Sequence, residues 1–158
     1  MKRIDAIWRH ETYQSCLKKL NAWEEKREFC RHTPEHFLDV ARITWILALE
    51  AGIPAKKEII YAAGLLHDIG RFRQYEEGIP HEQASARIAE DILKDCGFEE
   101  SEREQVLELI QSHRTKQQEK SLSGLFYKGD KLSRNCFSCP VRDKCDWPEE
   151  KKNLSICI

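Results

Sequence analysis

Apolar residues recur along this chain at intervals of three and four, the spacing of one face of an α-helix. No stretch alternates polar and apolar positions long enough to predict a strand. Residues 4–29 are charged and periodic, with Ile4, Ile7, Trp8, Leu17, Leu20 and Trp23 as inward positions. Thr33-Pro34-Glu35 predicts a helix start: a hydroxyl to cap, a proline at the first helical position and an acid at the positive end of the dipole. That helix runs to about Glu50 and stops at Gly52 and Pro54. A second begins at Pro54, passes through about His67 and is ended by Gly70. Gly78-Ile79-Pro80 predicts a turn. Further helices are expected from His81 to about Asp95, Ser101 to about His113 and Ser121 to about Arg134. Beyond Asn135 the chain turns irregular. The expectation is an all-α bundle of about six helices over 1–135, with a Cys-rich tail, 136–158, packed on it rather than folded independently.

Composition narrows the class. The chain has 158 residues, 41% hydrophobic and 34% charged, too apolar for a disordered chain and too charged for a membrane protein. No run approaches the roughly 20 apolar residues of a membrane span, and no apolar segment of a secretory signal follows Met1. The expected location is cytoplasmic, with no membrane partner. A net charge of −1 gives no whole-chain electrostatic case for nucleic acid, which is not an expected partner.

Several polar residues fall on apolar stripes. His36 aligns with Val40, Ile43 and Leu47; His67 with Ile59, Ile60 and Ala63; His81 with Ser85, Ile88 and Ile92; His113 with Val106, Leu109 and Ile110; Asp130 with Leu122 and Phe126. Each therefore points to its helix's inner side. His10 has no such stripe and reads as a surface residue. One inward histidine is usually a hydrogen-bonded core residue. Four, with Asp68 and Asp130, suggest a shared metal centre, because buried unpaired carboxylates are costly. Asp68 stands near a predicted helix C-terminus, where the dipole disfavours a negative charge. It either caps a turn, pairs with Arg71 or Arg73, or ligates metal.

The adjacent His67-Asp68 within AAGLLHDIGR, with His36 upstream and Asp130 in YKGDKLSR downstream, resembles the HD-domain superfamily of metal-dependent phosphohydrolases. The resemblance covers roughly residues 30–135 and implies an all-α fold. His81 in PHEQASARIAEDIL and His113 in LELIQSHRT resemble the extra histidines of dinuclear members. The resemblance then implies one metal at His36, His67, Asp68 and Asp130, and a second at Asp68, His81 and His113, Asp68 bridging the two.

A pair of divalent transition metals (Fe, Mn, Ni or Zn) suits a metal-bound hydroxide attacking a phosphoester or phosphoanhydride of a nucleotide-like small molecule. Asp68 and Arg71 are the expected catalytic residues. Arg71, Lys131 and Arg134 are the expected phosphate-binding residues, with Arg73 and Arg114 also near proposed ligands in sequence. HRT and GLFYKGDKLSR resemble the bacterial HD hydrolases that split diadenosine tetraphosphate, although those have a longer gap between the HD pair and the next histidine. No Gly-Tyr-Pro is present, unlike the cyclic-di-GMP phosphodiesterases, and Arg71-Phe72-Arg73-Gln74 replaces the acidic pair of alarmone hydrolases. The same ligand order also resembles HD-type diiron oxygenases. A non-catalytic metal-holding sensor is a third reading.

The chain has seven cysteines. An odd number without an export signal argues against a disulfide framework. Cys16, Cys30 and Cys96 are scattered and read as ordinary thiols. Cys136 and Cys139 form a C-x2-C pair followed by Cys145 and Cys157. Four such thiols are expected to hold structural zinc or a [4Fe–4S] cluster, or to remain free.

Overall fold

The periodic N-terminal stretch folds as two helices rather than one. In the computed structural model, which describes residues 1–116, 118–156 and 158, α1 spans Lys2–Arg9 and α2 spans Glu11–Glu24. His10 separates them. Its backbone is extended and its Nδ1 accepts a hydrogen bond from Thr12 N, which caps α2; its Nε2 lies 3.3 Å from Asp95 on the surface. Ile4, Ile7, Leu17 and Leu20 are buried, but Trp8 and Trp23 are 39% and 51% exposed. Tyr13 fills the interior beside Trp8. The Trp23 indole stays outside and donates to Glu76 Oε1 at 2.9 Å.

The remaining helices are α3 (Pro34–Glu50), α4 (Lys57–Leu66), α5 (Arg71–Glu77), α6 (His81–Asp95), α7 (Glu100–Ser112) and α8 (Leu122–Leu132). Among the described residues no strand is present. Thr33 and Ser121 cap α3 and α8 through their hydroxyls, and Glu99 with Glu102 closes a capping box on α7. Two helices beyond the expected six arise from the break at His10 and from α5. That helix has seven residues, too few to display a period, and Gly78 ends it with φ +71°.

Helix α4 is the axis of the bundle. Ile59, Ile60, Ala62, Ala63, Gly64, Leu65 and Leu66 are all buried, as in a helix covered on every side. α3 packs on both α4 and α8, and α6 packs on α7. Gly129 lets α8 approach α3, because a Cβ there would run into Thr44 Oγ1. The chain leaving α4 thus carries His67 and Asp68 into the interior.

After α8 come three single-turn helical segments, Cys136–Ser138, Arg142–Lys144 and Glu149–Lys151. The tail folds back on α8: Asn153 Nδ2 donates to Lys131 O and Arg134 O, both at 2.8 Å, and Phe137 N donates to Asn153 O at 2.9 Å. Among the described residues no helix is long and apolar enough to cross a membrane.

Candidate metal centre

The turn between α4 and α5 sets the position of Asp68. Gly70 N donates to Ser85 Oγ at 2.9 Å, and a Cβ on Gly70 would collide with the Ala84–Ser85 backbone. The turn is therefore pressed against α6, which also supplies His81. His36 comes from the first turn of α3, His113 from the end of α7 and Asp130 from the last turn of α8. All six groups are buried.

The two oxygens of Asp68 face different partners. Oδ2 lies 3.2 Å from His67 Nε2 and 3.9 Å from His36 Nε2. Oδ1 lies 3.1 Å from His81 Nε2 and 3.8 Å from His113 Nε2. Two donor groups result, His36–His67–Asp68 and Asp68–His81–His113, each with its atoms within 4.8 Å of one another. Asp130 Oδ1 sits 3.5 Å from His36 Nε2 and 3.9 Å from His67 Nε2.

The outer ring nitrogens explain why the inner ones are available. His67 Nδ1 faces Gly64 O at 2.8 Å, His81 Nδ1 faces Gln74 Oε1 at 2.7 Å, and His113 Nδ1 faces Ile110 O. His36 Nδ1 lies 3.0 Å from Ser133 Oγ, whose hydroxyl already donates to Asp130 O. Each acceptor holds a proton on Nδ1 and turns the Nε2 lone pair inward, the tautomer of a metal-ligating imidazole. His67 Nε2 and Asp68 Oδ1 are buried with no hydrogen-bond partner. A divalent cation satisfies both, so the residues present fit a metal.

Protonation follows the same design. Burial drives His36 and His81 down to about 3, which keeps both neutral at physiological pH. Burial opposes the charge on Asp68, but His67 and His32 outweigh it and hold the carboxyl well below its usual range. Burial likewise opposes Asp130, whose pKa is nevertheless lowered by Lys131, His67 and His36.

Basic side chains surround the opening. A cavity of about 260 Å³ is lined by Asp68, His81, His113 and Asp130 together with Arg71, Lys131 and Arg134. Arg71 lies 3.6 Å from Asp68 Oδ1 and donates from Nε to Tyr75 Oη at 3.1 Å. Lys131 Nζ donates to Asp130 Oδ2 at 2.6 Å, and Arg134 Nη2 donates to His36 Nε2 at 3.0 Å. Arg114 also lines the cavity, whereas Arg73 turns away and pairs with Glu77 at the surface.

Sequence reasoning missed two contributors. His32 is buried with Nε2 3.6 Å from Asp68 Oδ2, and the equally buried Glu24 carboxylate lies 2.6 Å from its Nδ1. The extended link between α2 and α3 gives His32 no stripe to reveal it. Cys30, expected to be an ordinary thiol, shares a pocket with Cys136, Cys139 and Cys145. Cys157 lies outside the described residues.

An all-helical bundle with buried histidines gathered on the aspartate of a His-Asp pair defines a metal-binding helical protein. Residues 33–151 match the HD domain family model, and the chain belongs to that family. It is 44% identical over 156 residues to an uncharacterized protein of Clostridium beijerinckii, covering 99% of each chain. It is also 30% identical over 125 residues to ribonuclease Y of Nitratidesulfovibrio vulgaris and 31% identical to that of Desulfotalea psychrophila. Those alignments cover 78% of this chain but 22% of each ribonuclease. No solved structure matches.

Proposed function

We propose that this chain is a metal-dependent phosphohydrolase that cleaves a phosphoester or phosphoanhydride of a small, nucleotide-like substrate. Asp68 carries the reading: one carboxylate serves two three-residue donor groups at the floor of a basic cavity. Divalent transition metals bound there supply a water that is nucleophilic at neutral pH and neutralise phosphate oxygens.

The chain's own residues do the rest. Burial keeps His36, His81 and His113 neutral with Nε2 on offer; His67, which burial lowers but Asp68 raises further, offers Nε2 once deprotonated, and Asp68 keeps its charge. Arg71, held by Tyr75 and Asp68, is a fixed cation against the substrate phosphate. Lys131 and Arg134 trade their contacts with Asp130 and His36 for phosphate oxygens and orient the substrate. Similarity to ribonuclease Y, named for action on RNA, supports the phosphoester half of the reading. The net charge of −1 and a cavity of about 260 Å³ favour a small substrate over a long nucleic acid.

The test is phosphate or nucleotide release from phosphomonoesters, dinucleoside polyphosphates and short oligoribonucleotides, with manganese or iron added and metal content measured. Turnover is expected, and Asp68→Asn is expected to lose it together with the metal. Metal-replete protein inert on every member of that panel would overturn the proposal. Oxygen uptake by the reduced iron form would then identify an HD-type oxygenase.

A further inference from the structure

Cys30 lies against the C-terminal tail. It shares one small pocket with Cys136, Cys139, Cys145 and the aromatic Trp147, and all four thiols are free of disulfides. The local backbone presents them. Cys139 N donates to Cys136 O at 3.2 Å around one single-turn segment, and Cys145 N donates to Arg142 O at 3.1 Å around the next. Cys30 holds φ +44°, the single positive value at a non-glycine position among the described residues, a conformation L-residues rarely adopt.

Other contacts hold the two segments together. Arg134 Nη1 donates to Arg31 O at 2.8 Å, and Lys144 Nζ lies 3.7 Å from Glu28. Arg142 and Lys152 line that pocket and offer positive charge to a thiolate cluster.

We propose that Cys30, Cys136, Cys139 and Cys145 are the four thiolate ligands of one soft-metal site, filled by a zinc ion or an iron–sulfur cluster. Four thiolates complete the coordination of either. Cys30 and Trp147 also line the His/Asp cavity, and His32 follows two residues after Cys30. Metal held by the four thiols would fasten the wall of the His/Asp cavity that carries His32 to the tail. None of this depends on the reaction proposed above.

The test uses full-length protein purified without oxygen or a metal-affinity tag, with iron, zinc and acid-labile sulfide measured per chain. Sulfide tells a cluster from zinc and from any iron on the His/Asp centre. One zinc, or iron with about four sulfides and visible charge-transfer absorption, is expected per chain. Cys30→Ser should lose that zinc or sulfide, as Cys139→Ser does, while Asp68→Asn and Cys157→Ser keep it. Should a variant misfold, iodoacetamide labelling of the wild-type protein decides: Cys30 should be protected with Cys136, Cys139 and Cys145 until the metal is stripped. Metal-free thiols, a site retained in Cys30→Ser, or Cys30 alkylated in the metal-bearing protein would each overturn the proposal.

Discussion

His32 Nε2 lies 3.6 Å from Asp68 Oδ2 while its Nδ1 lies 2.6 Å from Glu24 Oε1. Glu24 in turn accepts from His32 N and from Tyr75 Oη, both at 2.7 Å. The carboxylate fixes the imidazole and turns its second nitrogen toward Asp68. Metal-binding histidines are commonly held this way, and loss of such an orienting partner costs roughly 10–100-fold in metal affinity or activity. Glu24→Gln is expected to fall in that range, and His32→Ala at least as far, with helix content retained. Metal titration alongside steady-state rates would check this. Unchanged values in both variants would mean that His32 only fills space.

Gly70→Ala tests the docking of the His-Asp turn. The backbone at Gly70 has φ −89°, which alanine adopts freely, so the effect is purely steric. The added methyl meets the Ala84–Ser85 backbone, which cannot yield as a side-chain end can. Overpacking of this kind costs about 1–3 kcal/mol, or a melting temperature lower by roughly 2–12 °C for a chain of this size. Metal affinity should fall with it, because Asp68 moves with the turn. A thermal melt that matches wild type would show that α6 shifts without penalty.

Acid should destabilise the metal-free protein, beginning near neutrality. His36 and His81 fall from 6.5 to about 3 through burial. Between those values the unfolded chain binds protons that the folded chain refuses, so stability falls as pH falls. Burial raises Glu24 but its bonds to His32 prevail, taking it from 4.5 to about 2. Its contribution is present above 4.5 and lost as pH drops through about 2. His67 runs the other way. Burial lowers it, Asp68 raises it further, and its contribution is complete below 6.5 and lost as pH rises through the folded value. Melting curves of chelator-treated protein should shift to lower temperature from pH 6.5 to pH 4. A flat profile over that interval would show that the buried imidazoles are protonated in the folded state.

Arg134→Ala separates substrate binding from metal binding. Its guanidinium holds Arg31 O and His36 Nε2 and lines the cavity. A phosphate contact from arginine is a charge-assisted bond of about 1.5–3 kcal/mol, so KM should rise by roughly 10- to 150-fold. Metal content should be kept, since Arg134 ligates nothing and its removal frees His36 Nε2. Unchanged KM would place the substrate phosphate on Arg71 and Lys131 alone.

The helices at the centre were legible because they obey local rules. Thr33 before Pro34 starts α3, His81 opens α6, and the stripes through His36, His67, His81, His113 and Asp130 already put these groups on inner faces. Periodicity and capping are properties of neighbouring residues, so sequence contains them. Trp8 and Trp23 were misplaced because an amphipathic indole satisfies the pattern from the edge of a face as well as from within it.

Sequence alone determined the helical class, the inward histidines and the family to which the chain belongs. Tertiary structure decided which oxygen of Asp68 meets which histidine pair, that Glu24 turns His32 toward that carboxylate, and that Cys30 meets cysteines far along the chain. Those relationships come from the packing of α4 against its neighbours and the return of the tail onto α8. Residues in extended links, such as Cys30 and His32, carry no period, so only the folded chain shows what they face.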